Sequence, residues 1–266
     1  AKNLDTLLIF TTKGKVFALK VYEIPETGKQ ARGKLINNLI KLSEDEKVST
    51  IIKVRAHDED NRELFFITKK GIVKKTEARL FFHINKNGIR ALTLKGEDEL
   101  TYVGLTSGTK KNEVFIATRA GFAIRFSEED VRSMGRTAAG VKGINLRKDD
   151  FVVSAAIVNP ETDLDKLSVL TITDEGYGKR TSLKEYKVQT RGGKGIINLK
   201  VNDKTGKIVD VKIVDNETEI MLITSEGTLI RTKVDSISVI GRSTSGVRIM
   251  TVRNEEKVAS TVKITE

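Results

Sequence analysis

Cysteine is absent from this chain of 266 residues, and proline and histidine occur only twice each. Without cysteine there is no disulfide and no thiolate chemistry, which suits a reducing compartment. His57 and His83 lie at unrelated places in the sequence and have no cysteine partners, so they do not supply the ligand set of a zinc site. Aromatic residues make up 5% of the chain, too few for a row of platforms that stack single-stranded bases. No apolar run is long enough for a membrane-spanning helix. The opening "AKNLDTLLIF" lacks the apolar length and the small-residue cleavage site of a signal peptide. There is no G-x-S-x-G elbow, and "GRSTSG" has the wrong spacing. "GKQARGKL", from Gly28, fits G-x-x-x-x-G-K, but Leu35 stands where a nucleotide loop needs a hydroxyl, and no helix signal follows. The scarcity of histidine and cysteine argues against an enzyme built around a central pocket.

Positive charge is plentiful. Lysine and arginine number 47 against 36 acids, a net charge of +11 that attracts polyanions. Charged residues are 31% and hydrophobic residues 38%, the balance of a folded chain with an ionic surface. The length is ample for a sizeable core. Two glutamines and no cysteine beside many Lys and Glu is a composition also met in thermophiles.

One pattern recurs five times: an apolar β-type run, T-x-x-G, then a second run ending in cations. It reads "LLIFTTKGKVFALK", "LFFITKKGIVKKT", "VFIATRAGFAIRF", "VLTITDEGYGKRT" and "IMLITSEGTLIRT". The threonines are Thr11, Thr68, Thr118, Thr173 and Thr224; the glycines are Gly14, Gly71, Gly121, Gly176 and Gly227. A glycine between two β-rich runs supplies the positive φ of a tight hairpin. A second glycine follows in each repeat at Gly33, Gly88, Gly140, Gly195 and Gly246, and four residues before it stand Lys29, Ile84, Arg136, Arg191 and Arg242. An acidic turn and a last strand such as "VSTIIKV" or "FVVSAAIV" close the unit. Helix signals are confined to short turns at "SEEDVRSM" and "SLKEYKV". Repeats of roughly 50 residues with about four strands describe propeller-like blades. The expected organisation is a single domain over residues 1–266, with repeat units of about 4–58, 59–110, 111–160, 161–215 and 216–266.

The cations recur at matched places, which predicts a basic outer rim. Candidate contacts to duplex DNA are Lys29, Arg32, Lys74, Lys75, Arg125, Arg136, Lys142, Lys179, Arg180, Arg231, Arg242 and Arg248. "QTRGGKG" adds Gln189, Arg191, Gly192, Gly193, Lys194 and Gly195, where successive glycines let main-chain N–H groups approach an anion between two cations. Binding would run through phosphate contacts without a base-reading helix. A propeller-type protein-interaction scaffold is the alternative, but such a scaffold does not need cations in blade after blade.

"QTRGGKG" resembles the gyrase-A box, Q-[RK]-R-G-G-[RK]-G, with Thr190 where the box has a cation. "YGKRTSLKEY", "GVKGINL" and "VIGRSTSGV" resemble the C-terminal domain of the DNA gyrase A subunit, or of its topoisomerase IV counterpart, and the likeness runs through essentially the whole chain. The resemblance implies an all-β fold, a β-pinwheel: a propeller-like ring of about five four-stranded antiparallel blades with strands exchanged between neighbours. It implies DNA bending and wrapping in a bacterial, nucleoid-associated, cytoplasmic enzyme that supercoils DNA or, as in topoisomerase IV, relaxes and decatenates it. This domain would hold no catalytic residue, metal or cofactor. Cleavage would belong to the rest of the A subunit. ATP and Mg would belong to the holoenzyme, with its ATPase (B) subunit, and no membrane would be involved. The family carries its box in the first of six blades and a related sequence in the fifth. The box here lies in the fourth visible repeat, which would make these blades two to six.

Overall fold

A computed structural model describes residues 2–26, 28, 33–55, 61–85, 87–109, 111–159, 161–253 and 255–264. Each T-x-x-G is the turn of a two-stranded hairpin. The hairpins are Thr6–Thr11 with Lys15–Lys20, Glu63–Thr68 with Ile72–Glu77, Glu113–Thr118 with Phe122–Ser127, Ser168–Thr173 with Tyr177–Ser182, and Glu219–Thr224 with Leu229–Lys233. The glycine N–H donates to the threonine carbonyl in all five, at 2.9–3.2 Å. The threonine Oγ1 accepts the N–H four residues on, at 3.0–3.3 Å. The five glycines have φ between 74° and 95°, so the turn needs both residues of the motif. The acidic turn then braces the hairpin: Glu46 accepts from the Thr11 hydroxyl, Asp98 from the Lys70 N–H and Asp150 from the Ala120 N–H.

A return strand pairs with the first strand of each hairpin: Val48–Val54, Leu100–Leu105, Val152–Val158, Ile208–Val214 and Val258–Ile264. Every one carries a register shift beside the motif threonine. On the opposite edge the second hairpin strand is joined by a two-residue arm from the following repeat. Ile89–Arg90 completes the first blade, the strand beginning at Val141 the second, Ile196–Ile197 the third and Val247–Arg248 the fourth. These arms lie just past the second glycines, because only a residue without Cβ fits there: at Gly195 a side chain would meet the Ala123 carbonyl. The all-β class and the blade repeat are as expected. The fifth blade differs, with three strands among the described residues. There Leu229–Lys233 is an open edge, and Leu229 is 54% exposed.

The chain forms two compact units, residues 1–110 with 131–141 and residues 111–130 with 142–266. In the first, Leu8, Phe10, Phe66, Phe81 and Val103 pack together, with the Phe10 and Phe66 rings edge to face at 5.6 Å. In the second, Phe115 and Tyr186 anchor one cluster, while Leu170, Leu222, Val234 and Met250 anchor another.

Each return strand is the edge of its own sheet, so neighbouring return strands share no ladder and are stitched by side chains. In the first unit the Val103 N–H donates to Thr50 Oγ1 at 3.2 Å. In the second, Asp210 does this for three blades. It accepts from the Ser154 hydroxyl at 2.9 Å, from the Thr261 hydroxyl at 2.6 Å and from Lys212 Nζ at 2.9 Å. Asp210→Ala leaves the buried Thr261 hydroxyl without its acceptor and takes the partner of the part-exposed Lys212, while Ser154 keeps the Val211 carbonyl, and is expected to cost about 2–3 kcal/mol. Ser154→Ala removes one neutral donor and should cost about 1 kcal/mol. Urea unfolding of both variants checks the ranking; equal losses would reduce Asp210 to an ordinary hydrogen-bond partner.

Candidate nucleic-acid interface

The cations at the end of the second hairpin strand do not face outward. Lys74, Lys75, Arg125, Lys179 and Arg180 are all buried, which corrects their assignment to a DNA-facing rim. The position four residues after the motif glycine is an internal latch. Lys75 pairs with Glu63 at 3.2 Å. Arg125 Nε donates to Glu113 at 2.6 Å, and its Nη1 donates to the Leu183 and Tyr186 carbonyls at 3.0 and 3.1 Å. Arg180 reaches the Ile237 carbonyl at 2.8 Å and Asn216 Oδ1 at 2.6 Å. These carbonyls belong to the short 3-10 turns of the next repeat, so the guanidinium fastens one blade to its neighbour. Arg231, whose blade has no fourth strand among the described residues, binds Glu219 and stays exposed. An acid twelve residues before the cation (Glu63, Glu113, Glu219) was the available signal. Across a hairpin that spacing sets carboxylate and cation in reach of each other.

Lys74 and Lys179 sit one residue earlier and are fully enclosed. Burial and, behind it, the charge of Arg136 pull Lys74 down to about 7. Burial pulls Lys179 down to about 8, opposed by Glu185 and helped by Arg242.

The turns before the arms hold the other group. In "QTRGGKG" the Gln189 N–H donates to the Arg125 carbonyl at 2.7 Å, and the Gly192 N–H to the Gly143 carbonyl at 2.6 Å. Gly192 and Gly195 have φ of 79° and 68°. Arg191 turns back on the protein: Nε donates to the Asp130 carbonyl at 2.7 Å and Nη1 to the Lys142 carbonyl at 3.0 Å. Arg242, at the matching place, donates from Nη1 to the Ile197 carbonyl at 3.0 Å. Both residues are half-buried, so each arginine is latch and partial surface charge together. Arg136, at the same position, is half-buried. Lys194 is exposed, and Arg147 lies over the Phe122 ring while donating to the Lys194 carbonyl at 2.8 Å. Arg147 was missed in the sequence because "RKDD" reads as one of the acidic turns.

The arms give the clearest recurrence. Their second residues are Arg90, Lys142, Ile197 and Arg248, so three of the four carry a cation, and all three cations are exposed. Each lies on the outermost strand of its sheet. Arg248 rests on the Tyr177 ring and donates to its hydroxyl at 2.8 Å. Arg90 is a further site that sequence reasoning passed over. Lys29 and Arg32, and His57, lie outside the described residues.

A family model described as DNA gyrase C-terminal domain, beta-propeller, matches the chain over residues 5–55, 62–107, 112–159, 168–215 and 218–265. The gyrase A protein of Staphylococcus epidermidis is 42% identical over 262 residues, covering 98% of this chain and 29% of that protein. The gyrase A protein of Salmonella typhimurium is 41% identical over 266 residues, covering 100% of this chain and 29% of that protein. The chain thus spans under a third of these relatives. Among solved structures, the C-terminal domain of DNA topoisomerase IV matches with a TM-score of 0.87 at 29% identity, covering 98% of this chain and 80% of that one. The DNA gyrase A C-terminal domain matches at 0.83 and 25%, covering 100% and 84%.

Proposed function

This chain belongs to the DNA gyrase C-terminal domain family, and from that premise we propose that it binds duplex DNA along its blade edges and bends it. The observation that carries the reading is the exposed cation on the outermost strand of successive blades, at Arg90, Lys142 and Arg248, joined by Lys194 beside the third blade's arm. One such group is a solvated surface charge. Several at one register offer a phosphate track, and the absence of a recognition helix among the described residues favours backbone over base contacts.

In this proposal the domain is the non-catalytic wrapping module of the DNA-cleaving (A) subunit of a type IIA topoisomerase. DNA cleavage belongs to the remainder of that polypeptide, and ATP hydrolysis with Mg to the B subunit, in the bacterial cytoplasm at the nucleoid. The domain itself needs no cofactor. Gyrase-type supercoiling is favoured over topoisomerase IV-type relaxation by the box-like turn at Gln189–Gly195 and by 42% identity to a gyrase A protein.

Bending is the output that separates this module from a straight-rod binder. Curving a 20–30 bp segment by 40–90° costs about 1–6 kcal/mol, which contacts to several blades offset only when made together. A short duplex labelled at both ends should show increased energy transfer when the domain binds. Unchanged end-to-end distance at saturation would leave binding without bending.

A further inference from the structure

Two enclosed ammonium groups have no part in the phosphate track itself. Lys179 Nζ donates to the carbonyls of Gly241 and Arg242 at 2.7 and 2.6 Å, and to Thr244 Oγ1 at 3.2 Å. Lys74 Nζ donates to the Arg136 carbonyl at 2.6 Å, lies 3.4 Å from the Gly135 carbonyl, and also donates to the Ala91 carbonyl. Both lysines therefore direct donors at the backbone of one feature, a Gly-Arg turn followed by Thr137 or Ser243 in the next repeat, and each has one donor left for another partner, Ala91 or Thr244. The other two completed blades lack both halves of this arrangement. The first has Phe17 at the lysine position, and the turn it faces has Ile84 where arginine would stand. The third has Ile124, and its turn has Thr190 in place of the glycine, with Arg191 fastened by its own guanidinium to Asp130 and Lys142. Lysine and Gly-Arg turn thus occur together or not at all.

A leucine or methionine would fill the same volume without desolvating a charge, and a buried ammonium held mainly by carbonyls is a poor source of stability. The charge has another effect. It sits beneath an arginine of the same sign, so each charge weighs on the other, and Arg242 is held at the half-buried surface by the Ile197 carbonyl and Glu185.

We propose that Lys74 and Lys179 are positioning residues for DNA binding: each clamps the backbone of a Gly-Arg turn and directs the arginine at a backbone phosphate. The inference rests on the DNA-binding reading above. A phosphate docked on the arginine neutralises the charge that opposes the lysine. Binding should then raise the lysine's proton affinity and draw protons from solution. The groups facing Lys179 are Glu185 and Arg242, and the one facing Lys74 is Arg136. With lysines lowered to about 8 and about 7, uptake falls between pH 7 and 9, and affinity declines as pH rises through that window.

Titration calorimetry of this chain with duplex DNA, in buffers of different ionisation enthalpy at pH 8, reads the proton count directly. Wild type should take up protons, and Lys74→Met with Lys179→Met should not. Arg242→Ala should weaken wild-type binding about eightfold at 0.1 M salt, the worth of one phosphate contact, and should change little once Lys179 is methionine. If wild type binds DNA without proton uptake, or if Arg242→Ala costs the same in both backgrounds, the lysines do not position the arginines. If the lysine variant lowers thermal stability and weakens binding while proton uptake persists, the role is only structural. If wild type does not bind duplex DNA, the DNA-binding reading itself fails. The wild-type proton count needs no variant, so poor folding of the methionine form leaves the proposal exposed to disproof.

Discussion

Gly176→Ala should remove about 3–5 kcal/mol of stability, while Gly227→Ala should remove only about 1–2 kcal/mol. The two glycines hold the same place in the hairpin motif and nearly the same φ, 76° and 84°. Both variants therefore bear the left-handed backbone penalty of an L residue. Only Gly176 bears a second one. A Cβ there would collide with the Met250 carbonyl in the segment following the fourth blade's arm, where backbone has nowhere to move. Gly227 has nothing within 4 Å of the same point, since among the described residues no arm covers its blade. Urea unfolding of the two single variants measures the difference. Equal losses would mean that the arm yields readily, and that the close approach at Gly176 contributes nothing beyond turn geometry.

The affinity for duplex DNA should fall by roughly four orders of magnitude between 50 and 200 mM salt. That figure follows from about eight phosphates neutralised, a slope of about −7 in log K against log[salt]. Arg90, Lys142, Lys194 and Arg248 supply part of that count, and the half-buried Arg136, Arg191 and Arg242 add to it. Lys194→Ala should flatten the slope by about one unit and leave unfolding unchanged, since its side chain is exposed. Fluorescence anisotropy across a salt series tests both statements. A salt-independent affinity, or strong preference for one short sequence, would overturn the phosphate-track reading.

The hairpins were legible in the sequence because T-x-x-G uses two local requirements, a left-handed glycine and a hydroxyl that caps its own turn. Both act within four residues. The second glycine was legible as a position but not as a role: Gly195 is tight against Ala123, a neighbour 72 residues away, and spacing along one repeat does not reveal which blade receives the strand. Burial of the cations was the larger miss. Lys75 and Lys194 read alike in a one-dimensional pattern, yet one is enclosed against Glu63 and the other is open. Charge composition records how many cations a repeat carries, and pairing across a hairpin decides which remain for a ligand. Arg191 fell between the cases, its guanidinium divided between two carbonyls and solvent.

Borrowing a strand from the following repeat also sets a timetable for synthesis. The first hairpin ends at Lys20, but the arm that finishes its sheet is Ile89–Arg90, complete only after 70 further residues. At bacterial elongation rates that is a delay of several seconds, about 4–14 s. Hairpins close in microseconds, so every nascent blade waits with a bare edge for nearly the whole interval. The waiting edge strands carry charge, Lys15 and Lys20 on the first blade and Lys74 and Lys75 on the second. Lysine on an unpaired edge discourages pairing with another chain. Lys74 and Lys75, buried in the finished blade, are thus placed to discourage such pairing until the arm arrives.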